Sequence, residues 1–337
     1  MKDSFHIQWH VTNSCNLRCK HCYQEDFSKA GDLDWSGLRR ISDNILAAIH
    51  AWNKTACIHL TGGEPLLKPE TFLLLDELNR ESDVSDLGII TNGLLLNDAV
   101  IERLSPISKL KTIKVSLDGP SAEIHDSIRS QGSFEKVMRN LFLIKKQERF
   151  DIILMFTAMK RNFKSLLSAL DLCQDTGVDG LIIERFIPWG RGREIMGEVL
   201  DQGQWKEMIE GLFDYFSIGT EIHRGFSYQA FQVRLDRGEM DLAGAPCVIG
   251  LDGLCVMPEG SVFPCRRFPV AIGNLLEDSL KTIWEKSEIL ERVRRKENLK
   301  GRCGRCPLKD CRGCRSLALC LTGDYLEEDP HCWHPLE

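Results

Sequence analysis

Fourteen cysteines in a chain of 337 residues, gathered into two blocks, limit what this sequence can become more than any other feature. Three lie between Cys15 and Cys22, two stand alone at Cys57 and Cys173, and nine fall between Cys247 and Cys332. Disulfides need an oxidising compartment, and the N-terminus MKDSFHIQWH has too short an apolar run for an export signal. Clustered thiolates in a reducing compartment hold iron or zinc, so a cytoplasmic metal protein is expected. The isolated Cys57 and Cys173 are expected to be buried small hydrophobes.

Other functions are excluded by composition. A net charge of -6, from 43 basic and 49 acidic side chains, gives no general nucleic-acid surface. No apolar stretch is long enough to span a membrane. The length suits roughly two domains of about 150 residues.

The first two thirds alternate β-type runs with helical patterns, the signature of βα units around a parallel sheet. Six strands are expected: HIQWHV (6–11), ACIHLT (56–61), DLGIIT (86–91), TIKVSL (112–117), DIILMFTAM (151–159) and GLIIERF (180–186). Helices between them are marked by apolar residues at spacings of three and four, as in Leu38, Ile41, Ile45 and Ile49, or Phe134, Val137, Leu141 and Ile144. The aromatics Trp35, Phe142 and Phe163 are expected in the core. Six such units make a curved, partly closed barrel whose ligands gather at the carboxyl ends of the strands. From 201 the pattern becomes helical, over 201–216 and again near Tyr228 to Arg237. After Cys247 come short β-like pieces, including a hairpin turning at Glu259-Gly260, with so little apolar material that metal is expected to supply stability.

Directly after the first strand stands SCNLRCKHCYQ, with Cys15, Cys19 and Cys22 spaced C-x3-C-x2-C. Three thiolates on one cubane leave one iron open, and an open position separates catalytic from structural metal centres. Zinc bound with His21 or His10 is the competing reading. Thr61-Gly62-Gly63-Glu64-Pro65 ends the second strand, where small residues admit a ligand close to the backbone. Thr91-Asn92-Gly93 and Ser116-Leu117-Asp118-Gly119 end the next two.

CNLRCKHCY resembles the cluster loop of the radical S-adenosylmethionine (radical SAM) superfamily, and the GGEP and S-x-D segments follow in that family's order. The resemblance implies an α/β fold, a partial (β/α)6 TIM-like barrel over 1–200, a bridging helical region over 201–246 and a small cysteine-rich α+β SPASM domain over 247–337. It implies a SAM-binding [4Fe-4S] cluster on Cys15, Cys19 and Cys22. S-adenosylmethionine is expected to meet Tyr23, Gly62, Gly63, Glu64, Pro65, Asn92, Ser116, Asp118, Arg129 and Glu184, with Glu64 receiving its ammonium group.

The C-terminal cysteines resemble the SPASM extension, with Gly260 to Cys265 as its G-x4-C element. That resemblance implies two auxiliary [4Fe-4S] clusters, one on Cys247, Cys255, Cys265 and Cys314, the other on Cys303, Cys306, Cys311 and Cys332. Cys320 is the spare or an alternate ligand. The C-x2-C-x4-C-x2-C run from Cys303 to Cys314 would by itself also suit zinc.

The expected activity is reductive cleavage of S-adenosylmethionine to a 5′-deoxyadenosyl radical that takes hydrogen from a peptide or protein substrate. A separate leader-recognition protein would deliver the substrate, since residues 1 to 12 hold no such domain, and a flavodoxin or ferredoxin would donate electrons. Sulfatase-maturing relatives place an aspartate after the cysteine equivalent to Cys265. Arg266 and Arg267 stand there instead, which argues against formylglycine formation and, with Arg191, suits a substrate carboxylate. Radical trimming or decarboxylation of a haem precursor or another tetrapyrrole is the second reading. A non-enzymatic iron-sulfur electron carrier is the third.

Overall fold

The computed structural model describes residues 3–218, 230–236, 239–244, 247–308 and 311–334. Alternating strands and helices run β1 (Ser4–His10), α1 (Trp35–Ala51), β2 (Thr55–Thr61), α2 (Glu70–Arg80), β3 (Val84–Thr91), α3 (Asp98–Leu104), β4 (Leu110–Ser116), α4 (Ala122–Ile128), α5 (Ser133–Lys145), β5 (Asp151–Ala158), α6 (Leu166–Thr176) and β6 (Gly180–Arg185). They continue as α7 (Gln202–Tyr215), β7 (Phe231–Asp236), β8 (Glu239–Gly244), β9 (Gly253–Val256), β10 (Ser261–Phe263), β11 (Gly273–Asn274), α8 (Leu280–Lys286), α9 (Glu288–Arg294), α10 (Gly301–Arg305) and α11 (Arg315–Thr322). No helix among the described residues is long and apolar enough to cross a membrane.

All six expected strands form, and β1 to β6 pair in parallel in chain order. The sheet does not close. Among the described residues eleven strands run β11-β10-β9-β1-β2-β3-β4-β5-β6-β7-β8, with β11 and β8 at the edges. Strand β9 joins parallel to β1, so the strands after Cys247 extend the barrel's own sheet. The hairpin at Glu259-Gly260 links β9 to β10, with Gly260 at φ 90°.

Alternation along each strand divides the barrel into an apolar shell and a polar interior. Ala56, Ile58 and Leu60 of β2 pack into the core under the helices, as do Phe5, Ile7 and Trp9 of β1. Cys57 and His59 therefore take the other face, toward the interior. Helix α1 shows the matching logic: Leu38, Ile41, Ile45 and Ile49 are fully buried, and the Asp34 carboxylate caps its start by accepting from the Gly37 N–H.

Three expectations need correction. The stretch near Tyr228 to Arg237 is not helical where it is described: 231–236 is strand β7, antiparallel to β6 and to β8. Phe231 and Val233 are buried and alternate with polar neighbours, so the true period is two. Tyr228 and Arg237 themselves lie outside the described residues. Phe142 is 65% exposed, with Lys146 over its ring, whereas Phe163 is in the core and Trp35 packs against it. Of the isolated cysteines, Cys173 is buried among apolar side chains, but Cys57 is half-buried beside His59 and Asp86.

Candidate functional site

A cavity opens at the carboxyl ends of the strands, where ligands of such sheets gather. Cys15, Cys19, Cys22 and Tyr23 line it from the loop after β1, facing Gly62, Gly63, Asn92, Ser116 and Arg129 from the ends of β2 to β4 and from α4. Glu184, Arg266 and Arg267 close the opposite wall.

Backbone contacts hold the cysteine loop. The Thr12 and Ser14 carbonyls accept from the Gly63 and Glu64 N–H groups at 2.8 Å, and the Cys22 carbonyl accepts from the Gly192 N–H at 2.9 Å. Gly62 sits at φ 143°, and a Cβ there would overlap the Thr12 carbonyl. Replacing Gly62 with alanine is therefore expected to lose about 1–3 kcal/mol from backbone conformation alone, before the overlap is counted. A lowered denaturant midpoint checks this.

The cysteine sulfurs already meet donors. Cys15 Sγ accepts from the Leu17 N–H at 3.4 Å, Cys22 Sγ from the Gln24 N–H at 3.5 Å, and Arg129 Nη1 lies 3.9 Å from Cys19 Sγ. Burial pushes the Cys15 thiol up to about 11 and the Cys22 thiol to about 12, and it raises Cys19 as well. Binding of iron must therefore displace protons.

Spacing bears on which metal fits. Ligands to one tetrahedral zinc ion stand about 3.3–3.8 Å apart, while a cubane is gripped from the corners of a larger tetrahedron. Neither the N-terminal triad nor the C-terminal sets gather their sulfurs within 4.8 Å of one another among the described residues. At least one sulfur pair in each set is thus wider than a single zinc ion allows.

Not every expected cofactor residue reaches the cavity. Glu64 is fully buried and turned away: its carboxylate accepts from the Thr91 hydroxyl, the Asn92 N–H and the Leu66 N–H. It braces the end of β3 and the turn at Pro65, which does not line the cavity either. Burial raises Glu64 to about 7, against the pull of those three donors. Asp118 is also buried behind the wall, bonded to Arg129 Nε at 2.6 Å and to the Thr157 N–H at 2.9 Å. Burial alone would raise its pKa, but Arg129 and then His21 outweigh that and hold it low. Asp118 thus positions Arg129. Arg191 does not line the cavity; its N–H donates to the Gln24 carbonyl, so the 190–192 segment braces the cysteine loop.

The Glu184 carboxylate pairs with Arg266 at 2.6 Å and with Arg267. Burial works to raise this carboxyl, and Arg266, Arg267 and Lys114 more than offset it. Two guanidinium groups on one carboxylate leave one positive charge over at the wall. Arg267 also donates to the Arg185 carbonyl, and Arg266 lies over the Tyr23 ring.

His21, named from the sequence as a possible zinc ligand, lines the cavity and sits 3.4 Å from Asp118 with its buried Nδ1 unpartnered among the described residues. Sequence reasoning missed other lining residues. Met155 and Thr157 of β5 also line the cavity, as strand alternation could have indicated, whereas nothing in the sequence marked Phe27.

In the C-terminal part, Cys303, Cys306, Cys311 and Cys332 line one cavity with Asp329 and His334. Cys303 Sγ accepts from the Asp329 N–H and from Arg315 Nη2. Cys265 lies within electrostatic reach of Cys247, Cys255 and Cys314. Cys320 packs in a small apolar cluster with Cys314.

Residues 9–173 match the Radical SAM superfamily and residues 247–307 the SPASM iron-sulfur cluster-binding domain. An AdoMet-dependent heme synthase of Methanosarcina barkeri is 29% identical, covering 97% of this chain and 95% of its own length. The mycofactocin maturase MftC of Mycobacterium tuberculosis is 27% identical over 97% of this chain and 82% of its own. The crystal structure of Streptococcus suis SuiB bound to precursor peptide SuiA shares the fold, with a TM-score of 0.73 at 16% identity over 99% of this chain and 76% of that one. The chain itself has a parallel, unclosed barrel, a cysteine loop after its first strand and a cysteine-rich C-terminal part. The chain belongs to the radical SAM superfamily, as an enzyme of S-adenosylmethionine and iron-sulfur clusters that carries a C-terminal SPASM domain.

Proposed function

We propose that this enzyme acts on a carboxylate-bearing haem precursor, removing a side-chain carboxyl group by radical decarboxylation. The observation that carries this reading is the surplus positive charge of Arg266 and Arg267 over Glu184 on the cavity wall. The heme synthase of M. barkeri, which this chain matches almost end to end, supports it. Peptide modification, the leading expectation from sequence, becomes the second reading; the match to MftC favours it.

When bound, the N-terminal cluster and S-adenosylmethionine supply a 5′-deoxyadenosyl radical, and the auxiliary clusters an acceptor for the electron left on the substrate. The chain does the rest. Cys15, Cys19 and Cys22 hold three corners of the first cluster, and Gly62 and Gly63 let a ligand approach the backbone. Asn92, Ser116 and Arg129 hold the polar parts of the cofactor, with Asp118 orienting Arg129. Leu17, Phe27, Ile90, Met155 and Phe186 wall off the cavity from dissolved hydrogen donors such as thiols, which would otherwise quench a radical. Arg267 and Arg266 fix the substrate carboxylate. Cys247, Cys255, Cys265 and Cys314 hold one auxiliary cluster and Cys303, Cys306, Cys311 and Cys332 a second. A flavodoxin- or ferredoxin-type protein would be the electron donor.

Anaerobic reaction of the reconstituted enzyme with S-adenosylmethionine, a strong reductant and either carboxylate-bearing tetrapyrroles or candidate peptides separates the readings. Deoxyadenosine formed together with carbon dioxide loss from the tetrapyrrole is the expected result; turnover of a peptide alone overturns it. Arg267→Gln leaves Glu184 paired with Arg266 and takes one positive charge from the wall. It is expected to raise KM for the tetrapyrrole roughly 10- to 100-fold, the worth of one hydrogen bond to a charged group, with kcat little changed. An unchanged KM removes the argument from charge.

A further inference from the structure

The polar interior of the barrel holds a second constellation, one the proposed reaction does not use. Cys57 and His59 project from β2 and Asp86 from β3. Cys57 Sγ lies 3.7 Å from His59 Nε2 and 3.5 Å from Asp86 Oδ2, and His59 Nε2 lies 3.8 Å from Asp86 Oδ2. Among the described residues no other group of three such ligand atoms gathers within 4.8 Å.

The triangle has the dimensions of one face of a coordination tetrahedron. With metal–ligand bonds of about 2.3 Å to sulfur and about 2.0 Å to nitrogen and oxygen, tetrahedral angles separate the ligand atoms by about 3.3–3.6 Å. Observed edges of 3.5–3.8 Å need only a small contraction. One thiolate, one imidazole and one carboxylate together suit zinc and carry two negative charges to balance it.

Two features of the backbone bring these groups together. The pairing of β2 with β3 shifts by one residue at Ala56/Cys57, from Ala56 opposite Val84 to Cys57 opposite Asp86. Without that irregularity Ser85 would face Cys57 and Asp86 would point to the helical side. Gly88 supplies the second feature. A Cβ at this position would overlap the His59 ring, so the glycine leaves the space in which the imidazole lies. Lys114 Nζ lies 3.2 Å from His59 Nδ1; a metal on Nε2 leaves the hydrogen on Nδ1, so this ammonium has to turn away from the ring when the site fills.

We propose that Cys57, His59 and Asp86 form a mononuclear site for a zinc-class divalent cation, with a fourth position left for water or an exogenous ligand. The site is distinct from the cluster cysteines, and its existence does not depend on which substrate the enzyme takes.

The test uses the anaerobically reconstituted enzyme with its clusters loaded. The protein is equilibrated with chelator-buffered Zn²⁺ and freed of excess, and its zinc and iron contents are measured. The zinc K-edge X-ray absorption fine structure then identifies the ligands. About one zinc per chain is expected, with one sulfur and the remaining ligands nitrogen or oxygen, and with iron undiminished. Asp86→Asn, a near-isosteric change, is expected to weaken zinc retention at least about 10-fold at constant iron. A sulfur-dominated zinc shell with falling iron would place the metal in the cluster cysteines and overturn the proposal. So would a loaded enzyme that retains no zinc, which would leave the trio as a hydrogen-bonded network with Lys114. The spectrum of the unmodified enzyme decides the matter even if Asp86→Asn fails to fold.

Discussion

Cys19→Ala is expected to eliminate deoxyadenosine formation, whereas Cys306→Ala is expected to keep it while stopping net turnover of the substrate. Both side chains are proposed cluster ligands, and they differ in what surrounds them. Cys19 is buried in the large cavity, beside Arg129 and opposite the Gly62-Gly63 backbone. Removing its sulfur takes one of only three protein corners from a cluster that already has an open one. Cys306 belongs to a separate small cavity with Cys303, Cys311 and Cys332, so its loss leaves the N-terminal loop unchanged. Each variant should lose roughly four irons per chain relative to the parent enzyme, because each removes a ligand from a different [4Fe-4S] cluster. Deoxyadenosine release without substrate separates the two: absent for Cys19→Ala, retained for Cys306→Ala. If Cys306→Ala also fails to release it while its N-terminal cluster signal persists, the assignment of separate roles to the two cysteine blocks fails.

The barrel was legible because its strands are apolar on one face and end in recognisable motifs. Ile58 and Leu60, or Ile113 and Val115, announce strands through β-branched and apolar alternation, and the helices between them repeat at three and four. Each of the six parallel strands formed within two residues of its expected position. Strand β7 escaped because FQVRLD lies next to a long helical pattern, and only its antiparallel pairing with β6 buries Phe231 and Val233. That partner is about 50 residues away, and local periodicity cannot show it.

At the site, residue type was more legible than direction. The sequence placed Glu64 at a strand end but could not show that Thr91, Asn92 and Leu66 saturate its carboxylate and turn it inward. Arg266 and Arg267 were marked as carboxylate binders, yet their shared partner Glu184 lies some 80 residues earlier and was expected on the cofactor. Cys57 looked like a core residue because the shift in strand register that brings Asp86 beside it leaves no trace in composition. In each case the decisive neighbour came from a distant element. Contacts between side chains far apart in sequence are what the fold adds.

Trp205→Ala is expected to destabilise the protein by about 3–5 kcal/mol, the usual cost of deleting a large buried aromatic. That is a large fraction of the roughly 5–15 kcal/mol by which folded domains are stable. Trp205 is fully buried in the first turn of α7, where the C-terminal tail docks on the edge of the barrel. Its ring stacks on His331 at 5.2 Å, and the Arg185 guanidinium lies 4.8 Å from the ring centre. The surrounding contacts converge on the same place. Arg185 pairs with Asp329 at 2.7 Å with both groups buried, His331 Nε2 meets the Leu200 carbonyl at 2.7 Å, and Gln202 donates to the Cys332 carbonyl. Trp205 is thus the packing centre that presses the segment bearing Asp329, His331 and Cys332 against β6. Its truncation should act locally before it acts globally. Hydrogen exchange of the 329–334 amides is expected to accelerate more than that of β1 to β4, and iron held by the Cys303 set should fall before the N-terminal cluster is lost. Trp205→Phe keeps a ring over His331 and should recover most of the stability. Uniform acceleration across the barrel, with the tail no more affected than β2, would mean that α7 stabilises the fold as a whole and does not specifically seat the C-terminal cluster segment.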